Sequence, residues 1–360
     1  MFRFSSFVLL AGAVATTVAQ VPVYGQCGGS STTTTTSSPT TTSVASGALP
    51  SSFKWSSSAP LIYAKSDSEM LAGIKDPSII YYNGAYHVFA STAKEAGYNL
   101  VYITFTDFSQ AESATFHYLD ATPIGTGYRA APQIFYFAPQ KLWYLVYQNG
   151  NAAYSTNTDM TNPSGWSAPK TFFTEPSIVQ QNIGSGYWVD MWVICDSSNC
   201  HHFSSDDNGH LYRADTSVSN FPAGWSQPVI ALKDSPDNLF EASNVYFVNN
   251  EYFLIVECIG TDGRRYFRSW TSPSLTGTWT PLAATQSNPF AGAANVAFSG
   301  TPWTKDISHG EMIRTNVDQT MTISACNMRY LYQGVSPTAS GDYNALPWQL
   351  GLLTATNSPC

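Results

Sequence analysis

The sequence predicts an all-β fold, a five-bladed β-propeller, and three observations carry that prediction. A unit of three short β-branched and aromatic runs recurs along the chain. A leading run precedes each unit, and the heads of these runs are spaced by 56, 58, 51 and 68 residues (76 to 132, 132 to 190, 190 to 241, 241 to 309). No segment shows the length and 3.6-residue periodicity of a long helix. Four-stranded units repeated at such a period are the signature of a propeller.

The first unit shows the pattern most plainly. Gly73-Ile74-Lys75-Asp76-Pro77-Ser78-Ile79-Ile80-Tyr81-Tyr82 is a charged head on an extended run, closed by Asn83-Gly84. Ala85-Tyr86-His87-Val88-Phe89-Ala90 follows, so Asn-Gly joins a hairpin. In the second unit, leading run 133–137 precedes runs 143–148 and 153–155 and the closing Gly165-Trp166-Ser167. The third has 191–194, 202–206 and 210–213, closed by Gly224-Trp225-Ser226. The fourth has 244–248, 252–256 and 266–269, closed by Gly277-Thr278-Trp279-Thr280. The fifth is expected from 312–315, 321–324, 330–332 and 350–353. A β-sandwich would not account for the recurring Gly-Trp-Ser.

The propeller accounts for residues 49–360. Residues 1–19 carry Arg3, an apolar run and Thr17-Val18-Ala19, which reads as a secretory signal peptide. Residues 20–48 read as a truncated remnant and a Ser/Thr-rich linker that cannot bury a core. Within the remnant, Tyr24-Gly25-Gln26-Cys27-Gly28-Gly29 resembles the opening of a family 1 cellulose-binding module whose other cysteines are missing. No later segment is long and apolar enough for a membrane span. The expected protein is secreted, extracellular and monomeric.

Net charge is −8, which argues against a nucleic-acid partner. Aromatic residues make up 14% and charged residues 11%. That balance suits a protein that handles sugars, and it equally suits any β-rich core. Of the six cysteines, Cys195 and Cys200 flank a turn-like segment and invite a local bridge. Cys326–Cys360 would tie down the C-terminus, with Cys27 and Cys258 unpaired.

In a propeller the first strand of each blade lines the axis, so the heads face one another. They are Lys75-Asp76-Pro77, Ala131-Pro132-Gln133, Val189-Asp190-Met191, Phe240-Glu241-Ala242 and Ser308-His309-Gly310-Glu311. Three carry a carboxylate and one a histidine. Two carboxyls across a gap can hydrolyse a glycoside with inversion: one protonates the leaving oxygen while the other deprotonates water. Asp76 sits beside Lys75, which favours the ionised form a base needs. Glu241 lies among Leu239, Phe240 and Ala242, where desolvation favours the protonated form an acid needs. Asp190 would be the third carboxylate, holding the acid's proton by like-charge repulsion. Glu311 is the rival acid, but head alignment puts His309 in register with Glu241. His309 itself reads as a metal ligand, a sugar contact or a packed core histidine. His201-His202 falls mid-blade and reads as structural or surface. Asp206-Asp207-Asn208-Gly209 reads as a hairpin turn rather than a calcium loop.

Across 49–360 the chain resembles fungal α-L-arabinofuranosidases of glycoside hydrolase family 62. The resemblance rests on Leu49-Pro50-Ser51-Ser52-Phe53-Lys54-Trp55, Gly73-Ile74-Lys75-Asp76-Pro77-Ser78 and Gly125-Thr126-Gly127-Tyr128-Arg129-Ala130-Ala131-Pro132-Gln133. It extends to Gly186-Tyr187-Trp188-Val189-Asp190-Met191-Trp192, Phe240-Glu241-Ala242-Ser243-Asn244, Gly263-Arg264-Arg265-Tyr266-Phe267-Arg268, Asp306-Ile307-Ser308-His309-Gly310-Glu311 and Gly341-Asp342-Tyr343-Asn344. It implies a five-bladed propeller that releases arabinofuranose side chains from arabinoxylan with inversion. It carries the base onto Asp76, the acid onto Glu241 and the modulator onto Asp190. It further implies arabinose contacts at Lys75, Tyr343, Asn344, Trp143 and Arg268. A structural calcium ion near the axis would have His309 as its ligand, and catalysis itself would need no cofactor. The competing readings are a family 43 type arabinanase or β-xylosidase, and a sugar-binding propeller without turnover.

Overall fold

The structure is a computed structural model that describes residues 47–360. The expected signal peptide, module remnant and most of the linker lie outside the described residues.

Five sheets carry the fold, each led by an inner strand. Blade one comprises Gly73–Tyr82, Ala85–Lys94, Gly97–Phe105 and Phe116–Tyr118. Blade two comprises Ala130–Phe137, Leu142–Gln148, Ala152–Asn157 and Lys170–Phe173. Blade three comprises Val189–Cys195, Asn199–Ser205, His210–Ser217 and Val229–Lys233. Blade four comprises Glu241–Val248, Glu251–Ile259, Arg265–Ser272 and Thr280–Pro281. The first hairpin turns at Asn83 and Gly84, both at positive φ (+49° and +82°), as a tight Asn-Gly turn requires.

Blade five departs from expectation. Its inner strand is Ser308–Met312, followed by Arg329–Gly334 and Gln349–Ala355. The fourth strand is Trp55–Ser57, from the start of the domain, flanked by Val296–Phe298. The ring therefore closes by pairing the two ends of the domain in one sheet. Residues 321–324, expected as a strand of this blade, are not one. Met321 sits at φ +52°, which breaks an extended run.

That segment has another task. Val317, Gln319 and Met321 offer their carbonyls to the N–H groups of Tyr136, Cys195 and Phe247, at 2.8, 2.8 and 3.1 Å. These three residues lie at or one residue before the ends of the inner strands of blades two, three and four. The crossing segment thus closes one end of the axis, and the strand heads face the other end.

The recurring tryptophans join neighbouring blades. Each follows the third strand of its own blade and packs on the blade before it. Trp166 meets Phe89 of blade one at 5.7 Å between ring centres. Trp225 meets Phe172 of blade two at 5.6 Å, and Trp279 meets Phe203 of blade three at 6.4 Å. This contact explains why a tryptophan recurs at the blade period.

At the closure, Trp55 is buried, lies 5.2 Å from Phe290 and donates its indole N–H to the Phe290 carbonyl at 2.6 Å. Trp55→Ala is therefore expected to lower stability by about 3–5 kcal/mol. Chemical denaturation measures this; a loss under about 1 kcal/mol would mean the ring is held shut elsewhere.

Cys195–Cys200 and Cys326–Cys360 are both bridged, and Cys258 is free and buried, as the spacing suggested. Cys27 lies outside the described residues. His201 is buried between Asp215 and Asp196, and burial pushes His202 down to about 3, so both are structural. Among the described residues no helix is long and apolar enough to cross a membrane.

Candidate active site

Every inner strand breaks its ladder at the head. The pairing shifts between Lys75 and Ser78, Ala130 and Gln133, Val189 and Trp192, Glu241 and Asn244, and Ser308 and Gly310. In four of these bulges a non-glycine residue takes a left-handed φ: Asp76 (+48°), Ala131 (+51°), Asp190 (+60°) and Ala242 (+53°). Such a residue costs on the order of 1 kcal/mol and re-aims its side chain.

Each bulge also takes a main-chain N–H out of the ladder, and a side chain of the preceding blade accepts it. Asp76 N–H donates to Gln333 Oε1 at 2.7 Å, Ala131 N–H to Ser91 Oγ at 2.9 Å and Asp190 N–H to Gln148 Oε1 at 2.7 Å. His309 N–H donates to Glu257 Oε2 at 2.7 Å. These acceptors occupy equivalent places on the second strands. In blade three that place is Ser205, whose Oγ is buried without a partner. Asp190 replaces it: its Oδ2 accepts from Ala242 N–H at 2.6 Å. The Asp190 carboxyl is therefore fixed to the peptide that joins Glu241 to Ala242.

The bulges correct the register expected from sequence. The equivalent residues are Asp76, Ala131, Asp190, Ala242 and His309. Glu241 lies one residue earlier, in register with Lys75. Asp76 and Asp190 are buried, and Glu241 is partly exposed. All three line one cavity of about 750 Å³ at the open end of the axis, together with Lys75, His309, Tyr343 and Asn344.

Lys75 is caged by aromatic rings. Its Nζ lies 4.8 Å from the Tyr98 ring, 4.7 Å from the Tyr343 ring and 5.6 Å from the Trp348 ring. It also lies 3.8 Å from Asp76 Oδ1. Burial opposes its charge, but the Asp76 carboxylate, Tyr343 and Tyr98 hold Lys75 well above its ordinary range. Tyr343 and Asn344 sit on a short turn capped by Asp342, whose Oδ1 accepts from Asn344 N–H at 2.8 Å.

On the opposite wall, Arg265 Nη1 lies 3.0 Å from Glu241 Oε1 and 2.9 Å from Glu257 Oε1. Glu257 is fully buried and also accepts from Ser308 Oγ at 3.0 Å. Burial pushes Glu257 up to about 7 against the pull of Arg265. Burial, with Glu241 and Asp76 nearby, raises Asp190 well above the usual carboxylate range.

Two expected contacts lie elsewhere. Trp143 is buried beside Tyr82 and Tyr136 at 5.1 and 5.2 Å, and it pairs with Tyr136 near the closed end of the axis. Arg268 commits its donors to Ala284 O, Asp234 Oδ2 and Asn238 O at 2.7, 2.8 and 2.6 Å, away from the cavity. Glu311 is buried beyond the bulge, accepts from Ser78 Oγ and Ile79 N–H, and pairs with Arg314 at 2.8 Å. It does not line the cavity. Sequence reasoning passed over Gln148, Glu257, Arg265 and Asp207. The doublet Arg264-Arg265 was a signal for one of them, with Arg264 spent on Asp306 at 3.1 Å.

His309 Nδ1 lies 3.5 Å from Asp76 Oδ1 and 3.7 Å from Asp190 Oδ1. Among the described residues no His, Cys, Asp and Glu side chains gather as a metal-holding group. Nothing in that grouping supports the expected calcium ion, and His309 Nδ1 lies between the two carboxylates.

Comparison with known proteins agrees with this geometry. A family model described as glycosyl hydrolase family 62 matches residues 54–354. The chain is 42% identical over 314 residues to alpha-L-arabinofuranosidase C of Cellvibrio japonicus (strain Ueda107), covering 85% of this chain and 47% of that protein. It thus spans about half the length of that curated relative. The solved catalytic domain of a Coprinopsis cinerea family 62 alpha-L-arabinofuranosidase is 67% identical. Its TM-score is 0.86, over 87% of this chain and 100% of that one. An alpha-L-arabinofuranosidase from Podospora anserina, solved in complex with cellotriose, is 60% identical. Its TM-score is also 0.86, over 87% of this chain and 99% of that one.

Proposed function

Since the chain belongs to glycosyl hydrolase family 62, we propose that it is an inverting α-L-arabinofuranosidase that removes arabinofuranosyl side chains from arabinoxylan. The observation that carries this reading is the convergence of Asp76 and Glu241, from blades one and four, on one cavity with Asp190 fixed beside the acid.

In this reading Asp76 is the general base. It takes a proton from water as the water oxygen bonds to the anomeric carbon. Glu241 gives its proton to the leaving xylose oxygen on the opposite face of the sugar. Asp190 holds the acid's peptide in place and, when ionised, adds negative charge beside it. Lys75, Tyr343 and Asn344 are the sugar contacts. The cage around Lys75 fixes its ammonium, so arabinose hydroxyls meet a donor already in position. The reading extends to action as a monomer. Two disulfides support work outside the cell.

Product analysis on three substrates tests the reading. Wheat arabinoxylan should yield free arabinose with the xylan backbone intact. Linear arabinan and xylo-oligosaccharides should stay largely uncut. Arabino-oligosaccharides from arabinan, or xylose from xylo-oligosaccharides, would point to family 43 type chemistry. No product from any of the three would leave a binding propeller.

A further inference from the structure

Asp207 faces the same cavity from the turn between the second and third strands of blade three. Its neighbour Asp206 holds that turn. Asp206 is fully buried and accepts from Asn208 N–H at 2.9 Å, from His210 N–H and Nδ1 at 3.2 and 2.9 Å, and from Tyr212 Oη at 2.8 Å. Asp207 itself sits at φ +56°. The loop before blade three closes over the turn at Gly186. A Cβ on Gly186 would lie 2.1 Å from Asp206 O and 3.0 Å from Asp207 Cβ, so only glycine lets the loop pass. Asp207 is thereby fixed in place.

Its carboxyl is short of donors: the Tyr187 main chain reaches it, but not at both oxygens. Asp207 Oδ1 is buried and no donor reaches it. Glu241 lines the same cavity, and its carboxyl is the side-chain neighbour with which Asp207 interacts. Two ionised carboxyls can only accept, so this contact is favourable only with a proton between them. Asp190 adds a further negative charge, and the main chain of Tyr187 favours the charged form. The cation nearby is Arg265, already committed to Glu241 and Glu257. Burial, reinforced by Glu241 and Asp190, pushes the Asp207 carboxyl up to about 9.

We propose that Asp207 and Glu241 share one proton, and that Asp207 stores the proton with which the general acid is loaded. This rests on the reading of Glu241 as that acid. It also resolves a conflict in the site, because a general acid should not be ion-paired to an arginine. In the resting site the proton sits on Asp207, and Arg265 pairs with the Glu241 carboxylate. As the glycosidic oxygen docks, the proton moves from Asp207 Oδ to Glu241. Glu241 then gives it to the leaving oxygen, which keeps the electron pair of the broken bond. Asp76 has meanwhile taken one proton from the attacking water. Exchange with solvent returns a proton to Asp207 and removes one from Asp76, so the cycle balances. Asp207 acts through Glu241 and is a positioning residue.

The test compares the wild-type chain with Asp207→Asn, which keeps the shape and tolerates the left-handed backbone. Asp207→Ser removes the same carboxyl should the first variant fail to fold. The pH profile of kcat/KM on arabinoxylan reads the acid on its alkaline limb, since activity is lost as the acid's proton leaves. That limb should move to lower pH by a unit or more. Thermal melting supplies a reading independent of activity. The folded carboxyl binds its proton more tightly than the unfolded one, so Asp207 costs stability as pH rises from about 4 toward 9. The variant should therefore melt above wild type at pH 8, with the difference closing near pH 4. An unmoved alkaline limb in an active variant would overturn the proposal, as would a variant that melts below wild type at both pH values. A wild-type chain that releases no arabinose would instead defeat the functional reading, while the melting comparison would still decide the shared proton.

Discussion

Glu241→Gln is expected to lower kcat/KM on arabinoxylan by about 10²–10⁴-fold, the usual contribution of a positioned general acid. The fold should survive, because Glu241 is partly exposed and glutamine can still accept from Arg265. The loss should depend on the leaving group. Xylose leaves as an alkoxide unless it is protonated, so its departure needs the acid. A dinitrophenyl arabinofuranoside leaves as a stable phenolate and needs little help. The variant should therefore lose far less activity on the aryl substrate than on arabinoxylan. Equal losses on both would remove Glu241 from the acid role. Loss of both activities with a changed melting temperature would instead mean that Arg265 and Glu257 had been left with unbalanced charge.

Asp76→Ala should show the complementary pattern, with activity falling by about 10²–10⁴-fold on both substrates, since each needs an activated water. A small anion that needs no deprotonation can replace that water. Azide should thus restore turnover of the aryl substrate and give an arabinosyl azide of inverted configuration. No rescue, together with a folded protein, would count against Asp76 as base. The two variants separate the roles through their dependence on leaving group and nucleophile, which a loss of activity alone would not do.

The blade count was legible because strand runs, glycines and tryptophans recur at one period, and the tryptophans recur because each packs on the preceding blade. The convergence of Asp76, Asp190 and Glu241 was legible for the same reason. Their finer register was not. A bulge adds a residue without any fixed sequence mark, so Glu241 was aligned with Asp76 when it pairs in register with Lys75. The fifth blade was misread because its outer strand, Trp55–Ser57, is drawn from the other end of the domain. Trp143 and Arg268 had the right chemistry for sugar contacts, but neither identity nor spacing says which end of a strand a side chain occupies. Asp207 was read correctly as part of a turn. Only the stacking of blades three and four brings that turn to the cavity, and this is invisible in a local motif.

Single-displacement hydrolysis between Asp76 and Glu241 fixes the configuration of the released sugar. Proton NMR of the reaction on wheat arabinoxylan, followed from its first minutes, tests it most directly. Arabinose is expected to appear first as the β-anomer, before mutarotation, while the xylan backbone signals stay unchanged. Arabinose appearing first as the α-anomer would contradict it, because retention requires a covalent intermediate and a nucleophile that this assignment does not contain.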